Sequence, residues 1–357
     1  MKVLACLLKY DYGVPARGDS GEKLIMVPAM VAAGADVIPF WLEDNGYPED
    51  LGGLQRKIIE AVDVAKPDLA YFQLMRNEVS NDTFDALKPK CFAVNWFCDD
   101  QWRFEGYSRH IAPHLGASIT VDKYKVHEYR ALGCRVVRTQ WASPRYVPGL
   151  DVEKVDYLYD ISFVGGRNAT REWIVRELEK AGIKVECFGY GWQNGRLTIA
   201  QMEKIFHTSK INLNLTNSIP SLPSFRRFLA IDALRALFGL NAGRYGSWGR
   251  SIKKGLSNIY ASVFSEKRRE SIKARNFEIP AAGGFQLSHF ALEIDDYFVP
   301  GKEIALFATI DELIAQTKYY LNNDDARIAI CRGGYARSEK YSYADRFKAI
   351  FEELGPA

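Results

Sequence analysis

Lys273, Arg275 and Glu278 stand within six positions of one another in KARNFEIPAAGG, residues 273–284. That spacing can grip a ligand that carries both phosphate and hydroxyl groups. Lysine and arginine hold phosphate oxygens through charge-assisted hydrogen bonds, and a carboxylate accepts two hydroxyl bonds from a ribose or hexose. Ala281, Ala282, Gly283 and Gly284 are small enough to keep a helix slim, so that backbone and ligand come close. The plainer alternative is a surface helix with an i, i+3 Arg275–Glu278 pair, worth about 0.2–0.5 kcal/mol.

Two glycine turns upstream point to the same ligand type. In FVGGRNATRE (163–172) a strand ends in Gly165 and Gly166 and turns into a helix, which leaves backbone N–H groups facing outward as an anion site. Arg167 and Arg171 stand where they can neutralise a diphosphate, or are solvated arginines of an ordinary strand–helix turn. In FGYGW (188–192) Gly189 and Gly191 let the backbone approach a planar base that Tyr190 or Trp192 covers. A glycine-rich loop anchored to the core by its aromatic residue reads equally well. Asn212 and Asn214 of KINLNLT share one strand face, opposite Ile211, Leu213 and Leu215. Their amides can meet sugar hydroxyls or satisfy backbone groups at the sheet margin.

The N-terminal half offers catalytic candidates for an acceptor. Gly18, Asp19 and Ser20 form a polar loop before a helix, in which Asp19 or Ser20 is a carboxylate or hydroxyl for an acceptor, or simply an N-cap. Asp99 and Asp100 follow the apolar run CFAVNWF; either can deprotonate an acceptor hydroxyl in an inverting reaction, bind Arg103 or cap a helix. The five histidines show no metal-ligand pattern, so no metal is expected.

These residues need a scaffold, and the chain alternates short apolar runs with helical stretches. Residues 2–9, 36–40, 69–74, 91–97, 117–120 and 135–139 read as strands, separated by helices such as 22–33, 54–65 and 123–132. After WASPRYVPGLD (141–151) the pattern restarts with strands at 159–166, 184–191 and 210–216. Two Rossmann-like α/β domains are expected, residues 1–150 and 151–342, with a last helix in 343–357 free to pack on either. A length of 357 residues, 47% hydrophobic content and a net charge of +3 suit two folded domains and demand no nucleic acid. Six scattered cysteines without a CxxC pair, and an N-terminus without signal-peptide layout, suggest a cytoplasmic protein with reduced thiols.

Between Asn217 and Ser271 lies a helical, basic insertion. Residues 221–275 hold twelve basic residues against three acids. Aromatics, aliphatics and cations interleave at helical spacing in FRRFLAIDALRALFGL and SWGRSIKKGLSNIYASVF, as in a helix lying on an anionic membrane surface through residues 221–265. A helical hairpin packed on its own domain or on a partner has the same pattern. No nucleic-acid module is recognisable, and none is expected as a partner.

Taken in order, DISFVGG, FGYGW, SKINLNL, KARNFEIPAAGG, YFVPGKEIALF and DDARIAICRGGYARSEKYSYADRF resemble the CgeB-like, group 1 type glycosyltransferases of GT-B fold. The resemblance covers residues 159–350 apart from the insertion; WFCDDQWRF (96–104) and GDSGEKL (18–24) are similar to the less characteristic N-terminal half. It implies two Rossmann-like domains facing across a cleft, the second binding a nucleotide-sugar donor and the first a saccharide, lipid-linked glycan or protein acceptor. By the resemblance, Glu278 falls on the ribose-binding glutamate, and Arg167 and Arg171 on the paired basic positions facing the diphosphate. Group 1 enzymes often carry an earlier glutamate in an EGFG setting; Glu270 has that spacing from Glu278 but other surroundings. The expected activity is retaining sugar transfer without metal or other cofactor, in the cytoplasm or at the inner face of the membrane. A non-catalytic nucleotide- or glycan-binding coat-assembly protein, or a nucleotide-sugar epimerase, stays open as an alternative.

Overall fold

The computed structural model describes residues 1–215, 234 and 270–355. Nearly all of the basic insertion, and with it the membrane-facing reading of residues 221–265, lies outside the described residues. The chain divides into two units, residues 1–145 with 340–357, and residues 146–339. The boundaries thus fall a few residues before the expected ones, and the C-terminal helix belongs to the first unit.

The first unit is a six-stranded sheet of β1 (Lys2–Leu7), β2 (Asp36–Trp41), β3 (Leu69–Phe72), β4 (Phe92–Phe97), β5 (Ala117–Thr120) and β6 (Val136–Arg138), in the order β2-β1-β3-β4-β5-β6. Every pairing is parallel. Parallel strands joined by crossover helices must be covered on both faces, and β1 shows it. Leu4 and Cys6 pack with Leu54, Ile58 and Phe84 of helices Leu51–Ala65 and Asn81–Leu87. Val3, Ala5 and Leu7 pack on the other face with Met30 of helix Val27–Ala32 and with Tyr343, Phe347 and Ile350 of helix Tyr343–Leu354. Ser342 and Asp345 close a capping box at the start of that last helix. Phe347 then meets Tyr71 and Trp96 edge-on, at 5.6 and 5.8 Å.

The second unit repeats the plan with β7 (Tyr159–Val164), β8 (Glu186–Phe188), β9 (Ser209–Asn214), β10 (Gln286–His289) and β11 (Ala305–Phe307), all parallel, in the order β11-β10-β9-β7-β8. Helices Ala169–Lys180, Ile310–Asn322 and Asp324–Ser338 bury Trp173, Leu178, Leu313 and Ile330 against one face. Helices Ile199–His207 and Arg275–Ala281 bury Phe206 and Ile279 in a second cluster with Val164 and Phe188. In both sheets the strand order reverses beside the first strand, between β1 and β3 and between β7 and β9. Ligands of open α/β sheets bind beyond the carboxyl ends of the strands at such a reversal.

Candidate functional site

The reversal between β7 and β9 gathers much of the sequence-predicted donor site. β7 ends at Val164 and runs through Gly165 and Gly166 into helix Ala169–Lys180, whose N-cap Asn168 accepts from Arg171 N at 3.0 Å. The turn after β8 lies directly on this one. Gly165 N donates to Phe188 O at 2.9 Å and Arg167 N to Tyr190 O at 2.8 Å. Gly189 has φ +120°, and a Cβ there would stand 2.4 Å from Gly165 O, so only glycine permits this backbone contact.

Arg171 braces the reversal itself: Nη1 donates to Gly166 O at 2.7 Å and Nε to Leu215 O at 3.0 Å, linking the ends of β7 and β9. Arg275 reaches the same place from helix Arg275–Ala281, with Nε donating to Val164 O at 3.2 Å. Its guanidinium lies over the Phe206 ring and pairs with Glu278. The Glu278 side chain is 6% exposed and that of Arg275 27%. The pair is therefore packed into the unit beside a strand end, and the solvated surface pair is excluded. Lys273 precedes it, partly buried, its N–H donating to Asn276 Oδ1 at 3.0 Å. Arg167 is more open, within 3.2 Å of Glu172 and 5.7 Å from the Trp192 ring centroid.

Several expected ligand contacts are spent on the protein itself. The Trp192 indole N–H donates to Gly165 O at 2.9 Å and its ring meets Phe163 edge-on, so Trp192 anchors the loop, while Tyr190 is exposed. Gly191, at φ +85°, turns that loop beneath Arg167. Asn212 is buried: it accepts from Ser162 Oγ at 2.9 Å and donates to Phe206 O and Phe285 O at 2.9 and 3.1 Å. Asn214, also buried, donates to Ser288 Oγ at 3.2 Å, which Asn276 reaches at 3.1 Å. Both asparagines pin strands together instead of facing a sugar. Helix Arg275–Ala281 stops before the glycines. Ala282, Gly283 (φ +69°) and Gly284 form the turn into β10, and Cβ atoms at the two glycines would crowd Val152, Leu150, Phe206 and Asn212. At both glycines the space is taken by neighbouring protein.

His289, one of the five histidines without a metal-ligand pattern, meets Glu270 at 3.0 Å and stacks on Phe307 at the end of β10. Its histidine lacked any motif, and only the fold brings it to Glu270.

In the first unit the acceptor-side candidates separate. Asp100 is fully buried and accepts from Ser108 Oγ and Thr120 Oγ1 at 2.5 Å and from Tyr129 OH at 2.8 Å. Burial is the main force raising its carboxyl from 3.8 to about 6; the three hydroxyl bonds oppose the rise. A carboxylate sealed this way cannot reach an acceptor hydroxyl, which corrects its reading as a general base. Asp99 is partly buried at the N-cap of helix Asp100–Arg103, its carbonyl accepting from Trp102 N and Arg103 N. Ser20 is buried, donating to Leu8 O at 2.7 Å and accepting from Lys23 N at 3.1 Å, so it caps and tethers. Asp19 pairs with Lys23 at 2.9 Å, and Gly18 turns the loop at φ +80°.

Sequence reasoning missed Glu22, which opens the wide turn Glu22–Met26, and buried Gln73, whose Nε2 donates to Glu22 Oε1 at 3.3 Å. The carboxylate lay in the quoted GDSGEKL segment, whereas nothing local marks Gln73. Among the described residues no group of three or more His, Cys, Asp or Glu side chains could hold a metal, and no helix is long and apolar enough to cross a membrane.

Residues 230–352 match the family described as "Glycosyl transferase-like". No curated protein sequence matches significantly. Among solved structures, HepE of Anabaena, crystallised with UDP-glucose, aligns over 99% of both chains at 12% identity and a TM-score of 0.57. Sucrose-phosphate synthase of Thermosynechococcus elongatus aligns over 99% of this chain and 98% of its own, at 12% identity and a TM-score of 0.52. The pneumococcal O-GlcNAc transferase GtfA, solved with UDP and GlcNAc, aligns over 85% of this chain and 59% of its own, at 10% identity and a TM-score of 0.52. The two parallel-sheet units are those of the GT-B fold. The fold is thus of GT-B type, and residues 230–352, about a third of the chain, are similar to a glycosyl transferase-like family.

Proposed function

We propose that this chain transfers a sugar from a UDP-sugar, held at the β7/β9 reversal of the second unit, to a hydroxyl of a saccharide, lipid-linked glycan or protein acceptor on the first. The observation that carries this is the pairing of buried Glu278 with the partly buried Arg275 set against the end of β7. Glu278 accepts the ribose hydroxyls, and the cations of Lys273, Arg275 and Arg167 with the Gly165–Gly166 turn receive the diphosphate. Charge on the departing diphosphate is then met by fixed donors, so the transfer proceeds without a metal. Uridine is favoured because HepE and GtfA were solved with UDP or a UDP-sugar. The order of motifs favours the CgeB-like subgroup and retention of configuration, and residues 221–265 bind anionic membrane at the cytoplasmic face.

A ligand that binds only the native state raises thermal stability, so a panel of UDP, UDP-glucose, UDP-N-acetylglucosamine and the GDP and ADP counterparts tests the donor site. UDP compounds should give the largest shift. Glu278→Gln removes charge-assisted bonds worth roughly 1.5–3 kcal/mol, or about ten- to a hundredfold in donor affinity. Absence of any nucleotide-dependent shift in the wild-type protein defeats the proposal. Cosedimentation with anionic vesicles that persists after deletion of residues 221–265 defeats the membrane element alone.

A further inference from the structure

We propose that Met202 is a reversible oxidation site, and that conversion of its thioether to the sulfoxide by a peroxide weakens donor binding through Arg275. The proposal rests on the donor reading above and adds a regulation of that site.

Met202 is the fourth residue of helix Ile199–His207. The capping box of Thr198 and Gln201 fixes the first turn of this helix, and Met202 N donates to Thr198 O at 2.9 Å. Phe206 stands one turn further along the same face. Both side chains reach the Arg275 guanidinium: Nη2 donates to Met202 Sδ at 3.0 Å, and the Phe206 ring centroid lies 5.5 Å away. Val164 O accepts from Nε, and Glu278 pairs with Nη1. A carbonyl, a carboxylate and a phenyl ring withstand mild oxidants, whereas a thioether does not. Met202 is only partly buried, at the margin of the cluster of Val164, Phe188, Phe206 and Ile279, so its sulfur is open to a small peroxide.

Oxidation changes what Arg275 touches. One oxygen of hydrogen peroxide bonds to a sulfur lone pair as the O–O bond breaks; sulfur loses two electrons, the peroxide gains them, and water leaves. A thioether is a neutral and weak acceptor. The sulfoxide instead has a strongly accepting oxygen and a sulfur of partial positive charge. At 3.0 Å no atom fits between Sδ and Nη2. The new oxygen either turns to the guanidinium and moves it away by an atom's length, or points elsewhere and sets a partly positive sulfur against the cation. In both cases Arg275 leaves its place beside Glu278, and a grip that is no longer preorganised binds more weakly. Two thiols reverse the step, becoming a disulfide as water leaves and the thioether returns.

The rest of the chain keeps this signal clear. Met1, Met26, Met30 and Met75 all belong to the first unit. The cysteines of the second unit are Cys187 and Cys331, and burial pushes both thiols up to about 12, so little of the thiolate that peroxide attacks is present at neutral pH.

Isothermal titration of UDP into the full-length chain, before and after hydrogen peroxide, tests the proposal, with peptide mapping to locate oxygen added at position 202. Affinity should fall about tenfold or more on oxidation and return after treatment with methionine sulfoxide reductase and a dithiol. Met202→Leu, close in volume and without sulfur, should hold one affinity before and after peroxide. Met202→Gln, which carries a permanent amide oxygen, should bind UDP more weakly than the wild type without any oxidant. In Arg275→Ala the loss on oxidation should shrink, because the effect passes through the guanidinium. An oxidised Met202 with unchanged UDP affinity, an equal loss in Met202→Leu, a full loss in Arg275→Ala, or a sulfur that stays reduced while Met1 is oxidised overturns the proposal. Failure of UDP to bind the untreated wild type would instead overturn the donor reading, and this regulation with it.

Discussion

Replacing Asp100 by Asn separates a structural carboxylate from a catalytic one. Asp100 titrates near 6 in the folded protein against 3.8 ordinarily. Between those values the folded state holds a proton that the unfolded state has lost, so stability falls as pH rises through the window and is level above about 6. A rise of about two units is worth roughly 3 kcal/mol. Asn cannot ionise, and its altered bonds to Ser108, Thr120 and Tyr129 add only a pH-independent offset. The stability difference between variant and wild type should therefore drift by roughly 3 kcal/mol in favour of the variant from about pH 4 to about pH 7. Hydrogen exchange of the β4 and β5 amides reads the first unit apart from the second. A constant difference across the series refutes the reasoning. At neutral pH the variant should turn over donor as the wild type does, and loss of turnover in a folded variant would restore the general-base reading.

Asn212→Ala leaves the buried Phe206 carbonyl and the Ser162 hydroxyl without the Asn212 amide, while Phe285 O keeps the backbone N–H of residue 212, and urea denaturation should show a loss of roughly 2–4 kcal/mol. Gly189→Ala forces a Cβ against Gly165 O, whereas Gly195→Ala, also at positive φ, meets nothing within 4 Å. The second should lose about 1 kcal/mol, the first clearly more together with UDP affinity; equal melting temperatures would contradict the packed-turn account.

The first nine strands were legible because apolar runs of strand length alternate with helical ones, a pattern local enough to survive without tertiary information. β10 was not. QLSH carries one aliphatic residue, and Gln286, Ser288 and His289 are buried polar groups whose place in a central strand depends on partners such as Asn214 and Asn276. β11, Ala305–Phe307, is three residues long and follows the polar turn at 300–303 with no long helical stretch before it, so the alternation that marked the equally short β6 and β8 is missing. The glycine turns were visible as turns, but their contact is a distance between two loops, which no spacing within either loop encodes. Likewise Asp19, Asp100 and Glu22 are equivalent letters in polar segments; one pairs with lysine, one is sealed under three hydroxyls, and one stands at a strand reversal.

Arg275 and Glu278 show where such reasoning stops and what takes over. Their i, i+3 spacing guarantees that they can meet, and on a solvated helix that meeting would matter little. Its setting comes from Met202, 73 positions away, and from Val164 O, 111 positions away, which hold the guanidinium against the second sheet. With the carboxylate buried and the guanidinium held from two sides, the pair keeps its orientation, and in the proposed donor site a diol and a phosphate would meet groups already in place. The same two letters thus make an ordinary surface pair or the packed pair proposed to hold the donor, according to what β7 and helix Ile199–His207 put beside them.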